Sequence, residues 1–206
     1  IGHGRCGAPL QQAAPLARAV IERGLRFAGL QAYHGGAQHL RSAVERRAAI
    51  AASSQALRGA LDALAAEHTL CPLVSGAGSG SFVLEAESGL WGELQCGSYL
   101  FMDRDYADNE ALPGAPRFEH ALFVKSQVVS RGADRAIIDA GHKSHAIDSG
   151  LPRVWRRDDL EYVNGGDEHG ILRGAALPQW GENVWLVPGH CDPTVNLHDA
   201  MLGVRG

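Results

Sequence analysis

Apolar and polar positions follow helical and strand spacing in turn over the first half of the chain. Apolar residues recur at helical spacing between residues 9 and 22 and predict a helix that ends at Gly24. The run "LRFAGLQAYHG" that follows predicts a buried strand, and the alanine- and arginine-rich residues 38–68 predict a second helix. "TLCPLVSGAGSGS" and "GELQCGSYLFMD" each predict a strand that enters a loop of small residues. Alternating helices and strands are typical of a parallel α/β unit.

The pattern changes after about Tyr106, where short β-rich runs are separated by Gly, Pro and Asp. These runs are "HALFVKSQVVSRG", "RAIIDAG", "RVWRR" and "NVWLVPGH". They predict a mostly antiparallel β domain, with residues 1–112 in the α/β part of the chain and residues 113–206 in the β-rich part. Within the β-rich part, "NGGDEHG" is typical of a hairpin turn.

Composition narrows the class of protein. Of the 206 residues, 45% are apolar and 20% are charged, which is typical of a globular domain, and the formal net charge is −4. Basic residues form no cluster of the kind that binds nucleic acid, and no apolar run is long enough for a bilayer-spanning helix. No signal peptide is visible, and the four cysteines lack metal-finger spacing. We therefore expect a cytoplasmic enzyme with reduced thiols, and neither a nucleic acid nor a membrane as its partner.

Two loops at predicted strand ends contain the hydrogen-bond donors that a phosphate site needs. Residues 75–81, "SGAGSGS", combine three glycines, which let backbone N–H groups approach a ligand closely, with hydroxyl donors. Residues 96–99, "CGSY", likewise combine a glycine with hydroxyl donors at the end of the next strand. In eight-stranded α/β barrels the loops after the last two strands commonly bind phosphate. The alternative is that both loops are ordinary flexible turns.

His39 is the candidate general base. It follows the flexible pair "GG" after the strand that ends near Tyr33 and His34. An unperturbed histidine titrates near neutral pH and is therefore suited to proton transfer. A packed or helix-capping histidine is the alternative, and the local sequence does not separate the two.

The stretch "PGHCDPTVNLHD", residues 188–199, is the candidate metal site. Pro193 favours an extended conformation at the preceding residue, and in an extended chain His190 and Asp192 project from one face while Cys191 points away. One imidazole and one carboxylate with room for water favour Mg²⁺ or Mn²⁺, or a loosely held Zn²⁺. The alternative is an ordinary turn at Asp192 with His190 on the surface.

Five motifs in order resemble the D-threonine aldolase family. They are "GRCG", "GLQAYHGGAQH", "SGAGSGS", "ELQCGSYLFMD" and "GHCDPTVNL". That family is close to the D-serine dehydratases and the 3-hydroxy-D-aspartate aldolases, within the alanine-racemase-like class of pyridoxal-phosphate enzymes. The resemblance implies a fold in which the C-terminal part of a (β/α)8 barrel is followed by a mostly antiparallel β domain that carries the metal site.

The resemblance also implies roles for individual residues. The phosphate cradle is expected to comprise Gly78, Ser79, Gly80, Gly97, Ser98 and Tyr99. Arg5 and Tyr33 are expected to contact the cofactor and its phenolic oxygen, with Gln95 near the pyridine nitrogen. His39 matches the family's catalytic base, and His190 with Asp192 its divalent-metal pair. A homodimer is implied as well.

The activity implied is cleavage of D-threonine and related D-3-hydroxy amino acids to glycine and an aldehyde, with pyridoxal 5′-phosphate and Mn²⁺, Mg²⁺ or Zn²⁺. The runner-up is a D-serine-dehydratase-like lyase. In that branch a cysteine tends to hold the second ligand position as H-x-C, whereas Asp192 stands there in this chain. The aspartate therefore favours the aldolase.

One feature departs from the family pattern. The family's Schiff-base lysine lies on the first barrel strand, and neither lysine of this chain, Lys125 or Lys143, stands in such a context. We therefore expect the chain to be the C-terminal portion of an enzyme, without roughly the first half of its barrel. A non-catalytic fragment, or a metal-binding β module that complements another polypeptide, is the alternative from a different functional class.

Overall fold

A computed structural model describes residues 6–205. The chain forms two compact units. The first runs to Gly97 and includes the later segment Asn109–Pro116. The second comprises Ser98–Asp108 and the chain from Arg117 onward.

The first unit is a parallel α/β structure, as the alternation of apolar patterns predicted. Its three strands pair in parallel in chain order, and they are β1 (Leu30–Ala32), β2 (Val74–Gly76) and β3 (Glu93–Leu94). Its helices are α1 (Ala13–Glu22), α2 (Ala43–Ala66) and α3 (Phe82–Ser88), with 3₁₀ turns at Leu10–Gln12 and Gly35–His39. The strands are shorter than the apolar runs that predicted them.

Helix α2 begins later than the pattern predicted. Ser42 is its N-cap, with a side chain that accepts a hydrogen bond from the Glu45 N–H, which is one of the two hydrogen bonds of a capping box. The prediction of one helix from residue 38 is therefore wrong at its start, and Gly35–His39 form a separate 3₁₀ turn. The buried side of α2 includes Leu57, which packs on β1 and β2 in a cluster with Ala32, Val74 and Trp91.

The second unit is a six-stranded antiparallel sheet with two short helices. In spatial order the strands run β6-β9-β4-β5-β8-β7. Their bounds are β4 (Val124–Arg131), β5 (Ala136–Ile138), β6 (Arg153–Val154), β7 (Leu160–Asn164), β8 (Gly170–Gly174) and β9 (Asn183–Val187). The helices are α4 (Arg104–Ala107) and α5 (Cys191–Val195). "NGGDEHG" connects the antiparallel pair β7 and β8, which confirms the predicted hairpin turn.

The core of the second unit follows from strand alternation. In β4 every second residue from Val124 to Val128 is buried, while the residues between them are exposed. Ile138, Leu172 and Leu186 from neighbouring strands are fully buried in the same cluster. Within residues 6–205, no helix has both the length and the apolarity needed to cross a membrane.

Candidate active site

The predicted cofactor residues of the first unit lie where its parallel strands end. Tyr33 directly follows β1, and Gln95 directly follows β3. The glycine-rich loop, residues 77–81, follows β2. Because the three strands run in the same direction, these segments emerge at the same edge of the sheet. The carboxyl edge of a parallel sheet is where α/β proteins bind their ligands.

Gln95 belongs to a row of polar side chains that are hydrogen bonded to one another across the sheet. Gln31, Ser75 and Glu93 are register neighbours, so their side chains lie on the face opposite Ala32 and Val74. The Gln95 amide donates to Gln31 Oε1 at 2.6 Å and to Ser75 Oγ at 2.7 Å. Both N–H hydrogens of Gln95 therefore have acceptors. A hydrogen bond from this amide to a ring nitrogen requires that one of these two acceptors be given up.

The glycine-rich loop packs against the buried side chain of Gln38. A Cβ on Gly78 would lie 2.5 Å from Gln38 Oε1 and 3.1 Å from the Tyr33 hydroxyl, so only glycine fits there. A Cβ on Gly80 would lie 2.9 Å from the Gln38 carbonyl oxygen. Ser79, between the two glycines, is partly exposed. Close contact with the Gln38 side chain at position 78 and with the Gln38 backbone at position 80, rather than a left-handed conformation, is the reason for glycine there.

Gln38 holds this loop through hydrogen bonds on both sides of its amide. Gln38 is 1% exposed, and its Oε1 accepts the Gly80 N–H at 2.9 Å. Its Nε2 donates to Ser81 Oγ at 2.7 Å and to the His34 carbonyl oxygen at 3.3 Å. The Gly80 N–H is thereby hydrogen bonded to Gln38, which fixes the conformation of the loop. Hydrogen bonds from this loop to a phosphate must therefore come from its other groups. Gln38 was not among the predicted site residues, although it lies within the motif "GLQAYHGGAQH".

A buried carboxyl group continues the network. Ser81 Oγ accepts from Gln38, and therefore its own hydrogen is donated to Glu85 Oε1 at 2.8 Å. Glu85 is 1% exposed. Burial raises the pKa of this carboxyl, and the hydrogen bond from Ser81 offsets the rise only in part. The chain Gln38–Ser81–Glu85 ties the glycine-rich loop to helix α3.

His39, the predicted base, is the last residue of the 3₁₀ turn Gly35–His39 and is exposed. His34 caps this turn, since its Nδ1 accepts the Ala37 N–H at 3.2 Å. His39 directly follows Gln38, the residue whose side chain holds the loop. Arg5, predicted to contact the cofactor, lies outside the described residues.

Two residues of the predicted phosphate cradle belong to the second unit, whereas Gly97 belongs to the first. Ser98 is buried, and its carbonyl oxygen accepts the Met102 N–H at 2.7 Å. Tyr99 is 40% exposed, and its ring is tilted against Phe118 with centroids 5.2 Å apart. The motif "CGSY" is thus divided between the two units.

The predicted metal pair lies at the start of helix α5. His190 is extended and occupies the N-cap position, but Asp192 is in the first helical turn. The prediction of an extended chain through Asp192 is therefore wrong, because a proline is compatible with the first turn of a helix. Cys191, between the two, is 1% exposed, and burial together with the charge of Asp103 raises the pKa of its thiol to about 12. The thiol therefore stays protonated at neutral pH.

His190 is oriented by a carboxylate that the sequence did not reveal. Its Nδ1 lies 2.8 Å from Asp148 Oδ2 and 3.3 Å from Ser149 Oγ. The His190 side chain is 19% exposed, and that of Asp148 is 53% exposed. Partial burial would raise the pKa of Asp148, but the interaction with His190 and hydrogen bonds from backbone N–H groups together lower that pKa below its ordinary value. No spacing in the sequence points to Asp148, which is 42 residues before His190.

Asp103 is the second unpredicted carboxylate of this region. It is 0% exposed, and its Oδ2 accepts the Cys191 N–H at 2.8 Å. Its Oδ1 accepts the Tyr106 N–H at 2.9 Å, so one carboxylate caps the N-termini of α4 and α5. Asp103 therefore fixes the start of the helix that carries the predicted metal pair.

The donor chemistry of His190 and Asp192 fits an open metal site. No group of three or more potential ligands occurs among residues 6–205, so the pair would supply two ligands and water the others. Asp192 is exposed, and an imidazole nitrogen with a carboxylate oxygen suits Mn²⁺, Mg²⁺ or Zn²⁺. A metal with open positions can take a substrate oxygen, which a closed structural site cannot.

Residues 121–204 match a family model described as a putative serine dehydratase domain. The chain is 42% identical over 212 residues to a 3-hydroxy-D-aspartate aldolase of Paracoccus denitrificans, with 99% of this chain and 55% of that protein covered. It is also 42% identical over 212 residues to a D-threonine aldolase of an Arthrobacter species, with 100% and 55% covered. The chain thus spans about half the length of the curated relatives that it matches.

Solved structures agree with these matches. A D-threonine aldolase from Filomicrobium marinum has a TM-score of 0.95 and 46% identity, with 100% of this chain and 56% of that chain covered. An alanine-racemase-like protein from Idiomarina loihiensis has a TM-score of 0.75 and 18% identity, with 96% and 57% covered, and shows the fold alone. The resemblance and the fold class expected from the sequence motifs are confirmed.

Proposed function

We propose that this chain is part of a pyridoxal-phosphate- and divalent-metal-dependent lyase of the D-threonine aldolase family, which cleaves D-threonine and related D-3-hydroxy amino acids to glycine and an aldehyde. Similarity to two aldolases along the whole chain supports the proposal. The single observation that carries it is the pair at the start of α5, where His190 is oriented by Asp148 and Asp192 is exposed. An imidazole–carboxylate pair with open positions is suited to a hydroxyl-bearing substrate.

The edge of the parallel sheet is the proposed place for the cofactor. Pyridoxal phosphate supplies an electron sink that stabilises negative charge on the substrate Cα. The glycine-rich loop, packed on Gln38 where a Cβ would clash, fits a phosphate that needs close approach to the backbone. We assign Gly78, Ser79, Gly97, Ser98 and Tyr99 to the phosphate, with Gly80 lining the same loop while its N–H stays on Gln38. We assign Arg5 and Tyr33 to the cofactor and its phenolic oxygen.

Gln95 is assigned to the pyridine nitrogen. It is a neutral amide held by Gln31 and Ser75, and therefore it cannot protonate that nitrogen as an aspartic acid would. The ring nitrogen would therefore receive no proton from this residue. The amide would orient the ring only by exchanging one of its present acceptors for that nitrogen.

His190 and Asp192 would hold Mn²⁺, Mg²⁺ or Zn²⁺, which lowers the pKa of a hydroxyl bound to it. Asp148 accepts the hydrogen of Nδ1, so the free electron pair of His190 is on Nε2. Asp103 keeps the first turn of α5 in place through the Cys191 N–H. His190 and Asp192 would hold the metal, and Asp148 and Asp103 would keep them in position.

His39 is proposed as the base that removes the proton from the substrate β-hydroxyl, directly or through a water. Loss of that proton allows the Cα–Cβ bond to break and releases the aldehyde. The exposed position of His39 suits contact with a substrate. The Asn109 amide donates to the Gln38 carbonyl oxygen at 3.0 Å and limits movement of the backbone next to His39. A small-molecule hydroxy amino acid is the proposed partner, and a homodimer and a cytoplasmic location are proposed from the resemblance alone.

A D-serine-dehydratase-like lyase is the second candidate, because the family model that matches residues 121–204 is described as a putative serine dehydratase domain. It would use the same cofactor and metal to eliminate water. Asp192 stands where the dehydratase branch tends to have cysteine, and this favours the aldolase.

The test is stereospecific and metal-dependent cleavage by the intact protein. With pyridoxal phosphate and Mn²⁺, D-threonine should release acetaldehyde and L-threonine should not. A chelator should abolish the release, and Mn²⁺ should restore it in the wild type but not in His190→Ala. Equal Mn²⁺ dependence in His190→Ala would contradict the metal assignment, and absence of acetaldehyde in every case would contradict the aldolase.

A further inference from the structure

The second unit contains a contact between Asp148 and His190 that the sequence did not predict. We infer that Asp148 is a positioning residue, which fixes the ring orientation and the tautomer of His190 and thereby sets the affinity of the protein for its divalent metal. The inference rests on the proposed metal site and concerns how that site is built, since Asp148 is not one of its proposed ligands.

The tautomer follows from the chemistry of the contact. A carboxylate has no hydrogen to donate, so at 2.8 Å the hydrogen between Asp148 Oδ2 and His190 Nδ1 is carried by Nδ1. In the neutral ring Nε2 then holds a lone pair and is the metal-binding atom. Histidines that bind metals usually donate their other ring N–H to a carboxylate or carbonyl in this way.

The backbone on both sides of His190 is fixed independently of Asp148. The Arg104 N–H donates to the Pro188 carbonyl oxygen at 3.0 Å, and the Asp105 N–H donates to the Gly189 carbonyl oxygen at 3.1 Å. The Thr194 hydroxyl donates to the His190 carbonyl oxygen at 2.6 Å. The remaining freedom of His190 is therefore rotation of its side chain, which is the motion that Asp148 restrains.

Two glycines bring the segment of Asp148 close to the segment of His190. A Cβ on Gly189 would overlap the Gly150 carbonyl oxygen, so the two backbones are in direct contact at these positions. Asp148 and His190 are the residues two before Gly150 and one after Gly189, and their side chains meet beside this contact. The separation of the two side chains is thus set by the fold.

Because Asp148 is exposed, an effect of its removal on metal affinity can be distinguished from an effect on folding stability. Its side chain is 53% exposed, so removal of the carboxylate leaves no buried cavity and no buried unpaired charge. Folding stability should change little, whereas metal affinity should change strongly. A residue that served only the fold would give the opposite pattern.

The experiment measures the Mn²⁺ dissociation constant of the intact protein by electron paramagnetic resonance and by calorimetry. Asp148→Ala should weaken Mn²⁺ binding about ten- to a hundredfold, the range found when such outer partners of metal-binding histidines are removed. Asp148→Asn keeps an acceptor oxygen and should lie between Asp148→Ala and the wild type. The matched control is Asp134→Ala, because Asp134 is 65% exposed and pairs with Arg135, and its Mn²⁺ affinity should equal that of the wild type.

Melting temperatures measured in chelator complete the test. Wild type, Asp148→Ala and Asp148→Asn should melt together, which would separate metal positioning from stability. Equal Mn²⁺ affinity in the wild type and Asp148→Ala, with His190→Ala much weaker, would overturn the inference and leave the metal site standing. Equal affinity in the wild type and His190→Ala would overturn the metal site and the inference with it.

Discussion

The side-chain oxygen of Gln38 accepts the Gly80 N–H at 2.9 Å and joins the glycine-rich loop to the turn that ends at His39. Gln38 is buried, and the same amide also holds Ser81. The proposed phosphate loop and the proposed base therefore share one support. Displacement of the Gln38 amide should therefore affect both.

Gly78→Ala tests this packing. The added methyl group would lie 2.5 Å from Gln38 Oε1 and must displace the buried amide. We expect a loss of about 1–3 kcal/mol in the free energy of unfolding, as in other overpacked sites, and weaker binding of pyridoxal phosphate. Urea unfolding and a fluorescence titration with the cofactor measure the two effects.

Gly59→Ala is the matched control for that variant. Gly59 is inside helix α2, and its added methyl group would meet only the end of the flexible Leu10 side chain, at 3.3 Å. Because glycine costs a helix interior about 0.5–1 kcal/mol relative to alanine, this variant should be as stable as the wild type or more so. If both variants lost the same stability, the account of Gly78 would be wrong.

His145 should make stability depend on pH. It is fully buried, and its Nε2 lies 2.9 Å from the Tyr162 hydroxyl, which itself donates to the Ala140 carbonyl oxygen. Burial lowers the pKa of His145 below its ordinary value of 6.5, although a backbone contact to Ala146 acts in the opposite direction. As the pH falls below 6.5, the unfolded chain therefore takes up a proton that the folded chain does not.

The expected result is a fall in the free energy of unfolding with falling pH, by at most about 1.4 kcal/mol per pH unit for this group. Urea unfolding at several pH values between 7.5 and 5 measures the slope. His145→Gln should have a smaller slope over that interval. An unchanged slope in the variant would exclude His145 as a source of the pH dependence.

Asp103→Ala should destabilise the second unit. The carboxylate is buried and accepts the Cys191 and Tyr106 N–H groups, and both donors would be left without it. Hydrogen bonds to a charged group are worth about 1.5–3 kcal/mol, so we expect a loss of at least that size in the free energy of unfolding. Asp134→Ala is again the control, and a loss that is no larger for Asp103→Ala than for Asp134→Ala would contradict the capping role.

His39→Gln should remove the proposed base without removing the fold. Because His39 is exposed, the melting temperature and the affinity for pyridoxal phosphate should change little. The turnover number for D-threonine cleavage should fall about 10²–10⁴-fold, the usual contribution of a general base. Intact cleavage by His39→Gln in the complete enzyme would show that another group takes the proton.

Local patterns predicted the elements of the fold, and contacts distant in sequence decided the details. Helical spacing identified α2, but Ser42 sets where it begins, through a cap that periodicity does not contain. The extended chain predicted at Asp192 follows a true local preference of residues before proline. The structure overrides it because Asp103, 88 residues away, accepts the Cys191 N–H and stabilises a helical turn there.

Some residues of the candidate site were predicted from the sequence and others were not, for the same reason. His190, Asp192 and the glycine-rich loop were identified from motifs, because their residue types and spacing are local. Gln38 and Asp103 lie inside two of those motifs, but neither they nor Asp148 were assigned a role. Each of the three acts through a partner at least 42 residues away in sequence. Supporting residues of this kind have no spacing signature, and only the folded chain brings them to the residues that they hold.

The most direct test of the proposed activity is the product mixture formed from D-threonine. The intact protein is incubated with D-threonine, pyridoxal phosphate and Mn²⁺, and the products are followed by nuclear magnetic resonance. The account predicts glycine and acetaldehyde in equal amounts, because the Cα–Cβ bond is the one that breaks. Formation of 2-oxobutanoate and ammonia in place of glycine would contradict it.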